Sequence, residues 1–167
     1  LSDPLQRLDV GAVAKGWSVE QVCRSAPEGL LVSVGGNVRA TGPKPTGNPW
    51  VVGLQSPDGS SDDYLHTLNL ETGSVVTSGD YQRYYVVDGK PYHHIIDPET
   101  LYPAERWRAV SVICPDSGLA DCLSTALFIL PQEEGQALLD QTGAEAMWLL
   151  ADGTQLYSPG FEALIRT

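Results

Sequence analysis

Residues 108–159 read RAVSVICPDSGLADCLSTALFILPQEEGQALLDQTGAEAMWLLADGTQLYSP, and they contain one complete cycle of the fold. RAVSVICP has the short, β-branched composition of a strand. GLADCLSTALFILP carries apolar residues at helical spacing and stops at Pro131, which cannot continue a helix. EEGQALLDQTG is a second predicted helix, closed by Gly143 where a left-handed cap is wanted. AMWLLADGTQLYSP then reads as a hairpin turned at Asp152-Gly153. Strand, two helices and hairpin in succession predict an α+β domain built on a largely antiparallel sheet.

The upstream sequence extends that sheet. GLLVSVGGNVRATG is predicted as strand, Gly-Gly interruption and second strand, and the paired glycines suggest a bulge or a close contact. WVVGLQSP follows Asn48-Pro49 as another strand, and YLHTLNL alternates as a strand should. DGSSDD at 58–63 separates them as a surface loop. GSVVTSGDYQRYYVV contains one or two strands around a Ser-Gly-Asp turn, and VDGK closes a hairpin. Nearer the N-terminus, QRLDVGAVAKGWSVEQVCRSA is expected to become helical near Trp17, with Val19, Val22 and Cys23 on its buried face.

Composition limits the function. The 167 residues carry a formal net charge of −11, so nucleic acid and anionic membrane surfaces would be repelled. An anionic ligand such as a phosphate would need a compensating cation, for which a bound divalent metal is the natural choice. Cys23, Cys114 and Cys122 are too few for a disulfide framework and lack zinc spacing, so buried thiols are expected. No stretch approaches the roughly 20 apolar residues of a membrane span, and the abrupt opening LSDPLQRLDVG suggests a piece of a longer protein. Residues 1–167 are expected to form a single domain.

Five short stretches carry chemistry. In ADCLSTALF, Asp121 and Thr125 are four apart on a predicted helix, with Ser124 beside them. Such hard oxygen donors suit Mg²⁺ or Ca²⁺, although a helix cap and a back-bonded threonine use the same residues. In DVGAVAKG, Asp9 and Gly11 precede Lys15-Gly16 at a helix start, a natural anion site or simply a solvated lysine. GGNV at 35–38 keeps the bulge or close-contact reading of its paired glycines, and Ser78-Gly79-Asp80 within TSGDYQR at 77–83 has an ordinary turn reading. In HHIIDPET, Ile95 and Ile96 fit a buried strand, and His93 and His94 would then point to opposite faces. They could not comfortably share one metal, so one histidine is expected to face a pocket and the other solvent.

The ordered series DxGAxAKG, GGN, TSGDYxR, HIIDP and ADxLSTA resembles the FAD:protein FMN transferase family, also called the ApbE family. The resemblance runs from Asp9 to Leu130 and implies an ApbE-like, T-fold-related architecture. It also implies that the chain is the C-terminal part of a longer flavin transferase. The implied reaction is Mg²⁺-dependent transfer of FMN from FAD to a Ser or Thr hydroxyl of an acceptor flavoprotein, with release of AMP. The acceptor would be an FMN-binding domain or a subunit of a redox-driven membrane complex. By the same resemblance Asp9, Lys15 and His94 would contact FAD. The Ala12 carbonyl, Asp121, Ser124 and Thr125 would hold Mg²⁺, with Asp121 as the catalytic residue. Location outside the cytoplasmic membrane, as a membrane-anchored lipoprotein, is implied for the parent protein. Two other readings remain: a metal-dependent FAD pyrophosphatase, and a flavin-binding module without catalysis. One departure stands out. The family's HIIDPxTG becomes HIIDPETL here, with Leu101 in the glycine position.

Overall fold

The computed structural model describes residues 3, 5–59 and 63–167, so the centre of the DGSSDD loop lies outside the described residues. Ten strands and three helices follow in the order α1 (Ala14–Arg24), β1 (Leu31–Val34), β2 (Asn37–Ala40), β3 (Trp50–Gln55), β4 (Tyr64–Leu70), β5 (Gly73–Gly79), β6 (Tyr84–Val87), β7 (Lys90–His93), β8 (Ala109–Cys114), α2 (Ser117–Ile129), α3 (Gln132–Thr142), β9 (Glu145–Leu149) and β10 (Gln155–Tyr157). Six strands form one sheet in the order β1-β2-β5-β8-β9-β10, every described neighbour antiparallel. β3–β4 and β6–β7 are separate antiparallel ribbons. The expected α+β class with an antiparallel sheet is what the chain adopts.

Strand periodicity sorts the core to two sides of the sheet. Val76, Val110, Val112 and Trp148 join Leu123, Leu127 and Phe128 of α2 and Leu139 of α3 in one buried cluster. Their strand neighbours Val75 and Met147 face the other way, toward Val52, Leu54, Leu68 and Leu70 of the β3–β4 ribbon and Phe161. A sheet covered on both faces explains why β8 reads AVSVIC, almost unbroken by polar residues. The cysteines are free thiols, Cys23 and Cys114 buried and Cys122 partly so.

Four local expectations change. Gly35 and Gly36 have φ of 51° and 84°, so they form the two-residue turn of the β1–β2 hairpin instead of a bulge. α1 starts at Ala14, three residues before Trp17. Trp17 and Val22 are 61% and 59% exposed, while Glu20 is buried on the face shared with Val19 and Cys23. That burial is stabilised by pairing: the Glu20 carboxylate accepts the Ser117 N–H at the start of α2 (2.8 Å) and the Arg39 Nε–H (3.1 Å). Ile95 is buried but Ile96 is 46% exposed, making only an isolated bridge to Pro103, so the pair does not form a buried strand.

Leu101 adopts the left-handed backbone conformation that favours glycine. Its φ is 61°, its N–H donates to the Asp97 carbonyl (2.8 Å), and its side chain is 76% exposed. A left-handed conformation costs a branched residue about 1–2 kcal/mol, against about 0.5–1 kcal/mol for the extra unfolded-state freedom of glycine. Leu101→Gly should therefore stabilise the chain by about 0.5–1 kcal/mol, read as a higher urea midpoint at unchanged m-value.

Candidate active site

The site is organised by one unusual helix contact. At the start of α1, the Gly16 N–H donates to Asp121 Oδ2 at 2.7 Å, in a buried position. In an unbroken helical turn that N–H would reach back to the Ala12 carbonyl. Because Asp121 takes it, the Ala12 carbonyl accepts no hydrogen bond from the described residues. The contact requires glycine, since a Cβ on Gly16 would fall on the Asp121 Cβ and the Ser117 carbonyl. Gly118, across the same joint, lies against the Trp17 backbone. α1 and α2 thus meet backbone to backbone, aligned by the Glu20–Ser117 bond.

Asp121 is only 4% exposed, and its two oxygens have different roles. Oδ2 is engaged by Gly16, while Oδ1 lies 3.3 Å from Lys15 Nζ. Lys15 also donates to the Gly35 carbonyl at the β1–β2 turn (3.3 Å). Asp121 is not the cap of α2, as its ordinary helical reading would have it. That task falls to Asp116, whose side chain accepts the Leu119 N–H (2.9 Å) and whose pKa is held low by that bond and by Arg24 despite burial, which opposes them.

A cavity of about 380 Å³ opens beside this joint, lined by Asp9, Gly11, Ala12, Lys15, Asp121, Thr125 and His94, with Thr77, Ser78, Gln82 and Arg83 from β5 and the turn after it. Six of the seven residues singled out in the sequence therefore meet around one space. Ser124 does not line it. That residue is fully buried, and its hydroxyl is committed to the Asp121 carbonyl (2.9 Å) and to Ser78 Oγ (2.9 Å). Thr125 makes only a long bond to the same carbonyl (3.4 Å), which leaves its oxygen accessible from the cavity. Asp9 folds over its own loop, accepting the Gly11 N–H through Oδ1 (2.7 Å). The TSGDYQR stretch was legible as a motif, but nothing in its pattern told which of its residues would face the cavity.

The two histidines separate, but not by strand alternation, since β7 ends at His93, and the one turned from the cavity is packed inside instead of facing solvent. His93 points into the protein, where its ring meets Phe128 edge to face and Nε2 donates to the Ala104 carbonyl (2.8 Å). His94 faces the cavity. Since a carbonyl can only accept, its Nδ1 carries the proton donated to the Arg83 carbonyl (3.1 Å), which leaves the Nε2 lone pair free. Burial lowers the His94 pKa, and the charges of Arg83, His93 and Lys15 add to the effect against the opposing carbonyl bond. The ring is therefore neutral near pH 7.

Chemically, the cavity offers hard oxygen donors next to positive charge. Ala12 O, Asp121 Oδ1 and Thr125 Oγ1 suit a small divalent cation that takes one carboxylate and completes its shell from substrate and water. The carbonyl released by Gly16 is the structural feature that favours such a cation; an ordinary helix start would have closed it. Among the described residues no group of three His, Cys, Asp or Glu side chains gathers. Lys15 and Arg83 supply positive charge for an anion on the same side.

The family model described as the ApbE family matches residues 1–148. The chain is 36% identical over 175 residues to a Treponema pallidum protein named FAD:protein FMN transferase, covering 96% of this chain and 48% of the relative. It is 38% identical over 146 residues to a protein of the same name from Klebsiella pneumoniae, covering 84% and 44% respectively. Among solved structures, the ApbE protein of Thermotoga maritima superposes with a TM-score of 0.87 at 38% identity, over 96% of this chain and 54% of that one. The apo form of Pseudomonas stutzeri flavinyl transferase ApbE gives 0.73 at 31% identity, over 95% and 51%. The chain spans about half the length of the curated relatives it matches.

Proposed function

The chain belongs to the ApbE family, and we propose that it carries the cation- and phosphate-binding part of a flavin transferase that moves FMN from FAD to a Ser or Thr hydroxyl of an acceptor flavoprotein. The observation that carries the reading is the joint of Gly16 with Asp121. It leaves the Ala12 carbonyl without a hydrogen bond from the described residues, and Ala12, Asp121 and Thr125 line one cavity with Lys15.

In this proposal Ala12, Asp121 and Thr125 hold Mg²⁺, and Asp9, Lys15 and His94 bind FAD. The metal would supply neutralisation of charge on the pyrophosphate. The protein's own groups do the rest. Lys15 and Arg83 hold the phosphate oxygens by charge, as a chain of net charge −11 must arrange locally. The acceptor hydroxyl oxygen attacks the FMN-side phosphorus, the bond to the AMP phosphate oxygen breaks, and AMP departs with that electron pair. The hydroxyl proton passes to a base in the cavity, where neutral His94 Nε2 and the carboxylates of Asp121 and Asp9 are the accepting groups. The acceptor is an FMN-binding domain or a subunit of a redox-driven membrane complex, and the parent protein acts outside the cytoplasmic membrane as a lipoprotein. No helix among the described residues is long and apolar enough to cross a membrane.

The test uses this chain with FAD, Mg²⁺ and an acceptor protein. Flavin fluorescence should report binding that requires Mg²⁺, and AMP should appear in equal amount with covalent flavin on the acceptor. AMP with free FMN would instead establish pyrophosphatase chemistry, in which water replaces the hydroxyl. Binding without AMP would mark a flavin-binding module.

A further inference from the structure

Lys15 sits where a divalent cation's charge would be. Its ammonium is 3.3 Å from Asp121 Oδ1, the only oxygen of that carboxylate not taken by Gly16. The pair is largely shielded, Asp121 being buried and Lys15 about three-quarters covered, so solvent screens it little. A dication bound through Oδ1, Ala12 O and Thr125 Oγ1 would meet the ammonium across a single oxygen. Two like charges cannot share that oxygen at such range in a shielded site without strong repulsion. Lys15 has somewhere else to go: its flexible four-carbon stem lines the same cavity, and its second contact, to Gly35 O, is a long bond that little would be lost by breaking.

We propose that Lys15 is an exchangeable counter-ion for Asp121: it occupies the carboxylate in the empty protein, yields it to the incoming divalent cation, and transfers its charge to the phosphate anion that enters with the metal. This inference rests on the reading of Asp121 as a metal ligand and extends it to how loading is ordered. The resting ion pair keeps a buried carboxylate compensated before any ligand arrives. It also penalises metal binding in the absence of an anion that can receive the displaced ammonium. Metal and anion sites are thereby coupled through one side chain with two discrete positions, and the coupling is reciprocal.

The test is Mn²⁺ binding to the nucleotide-free chain, measured by electron paramagnetic resonance or calorimetry and so independent of turnover. Lys15→Met keeps most of the stem and removes the charge. It should bind Mn²⁺ about five- to tenfold more tightly than the parent chain, within the range of ordinary site-to-site coupling. Lys15→Arg keeps the charge and should bind like the parent. Asp121→Asn should lose the site. If Lys15→Met binds Mn²⁺ no more tightly, or if Lys15→Arg tightens it equally, the exchange role is overturned while the metal site stands. If Asp121→Asn binds Mn²⁺ as the parent chain does, the metal reading itself fails and the exchange role falls with it.

Discussion

Gly16→Ala should destabilise the chain by about 3 kcal/mol and abolish divalent cation binding. Local propensity points the other way: within a helix, alanine is favoured over glycine by about 1 kcal/mol. Packing decides the sign. The added methyl would fall on the Asp121 Cβ and the Ser117 carbonyl, with Asp121 Cγ 3.1 Å away. Two of these three atoms are side chain, but they belong to a residue fixed on a buried helix face, and the third is backbone. Neither can yield without separating α1 from α2. Separation would break the Gly16–Asp121 bond and release the Glu20–Ser117 bond that aligns the helix starts. Urea denaturation and Mn²⁺ binding read the two effects. Gly118→Ala is the control on the opposite side of the joint. There a Cβ meets Trp17 backbone atoms at 3.4–3.5 Å and the Asp116 carboxylate at 3.1 Å, contacts that a small side-chain shift relieves. It should fall within about 1 kcal/mol of the parent chain. Equal losses in both variants would mean that the helix crossing rejects methyl groups generally and that Gly16 has no special place.

The same joint shows what a sequence can and cannot declare. Elements announced by periodicity and punctuation were legible: α2 ended by Pro131, α3 closed by Gly143 at φ 67°, and the hairpins turned at Asp88-Gly89 and Gly153. So was the convergence of Asp9, Ala12, Lys15, His94, Asp121 and Thr125, because their motifs stand in a family's order. Properties fixed by tertiary partners were not. Glu20 reads as a surface residue until Arg39 and the α2 N-terminus surround it, and Val22 reads as core although its helix turns that face to solvent. Ser124 and Thr125 are chemically alike and adjacent, yet one hydroxyl is spent inside the protein and the other faces the cavity. A helix places them 100° apart, and only the packing of α2 on β5 determines which side is open. The release of the Ala12 carbonyl is the extreme case. It follows from a hydrogen bond between residues 105 positions apart, which no local pattern encodes.

Asp121→Asn should reduce AMP release from FAD by about a thousandfold or more while leaving stability within about 1 kcal/mol, whereas Asp121→Ala should lose both. The asparagine amide oxygen can still accept the Gly16 N–H, so the helix joint survives. What disappears is the negative charge on Oδ1, and with it the ion pair to a partly exposed lysine that can turn to the cavity. Alanine removes the acceptor as well. The Gly16 N–H then either stays buried without a partner, which costs about 1–3 kcal/mol, or turns back to the Ala12 carbonyl and extends α1 by one bond. The second route recovers stability at the expense of a metal donor, so the alanine variant loses one of the three oxygens proposed for the cation by the first route and two by the second. Comparing the pair separates the two duties of one side chain: the acceptor that shapes the joint and the charge that serves the ligand. Turnover by Asp121→Asn at the parent rate would rule out metal-assisted transfer at this carboxylate. A melting profile for Asp121→Ala identical to the parent's, with the Ala12 carbonyl still unbonded, would remove the joint as the origin of the site.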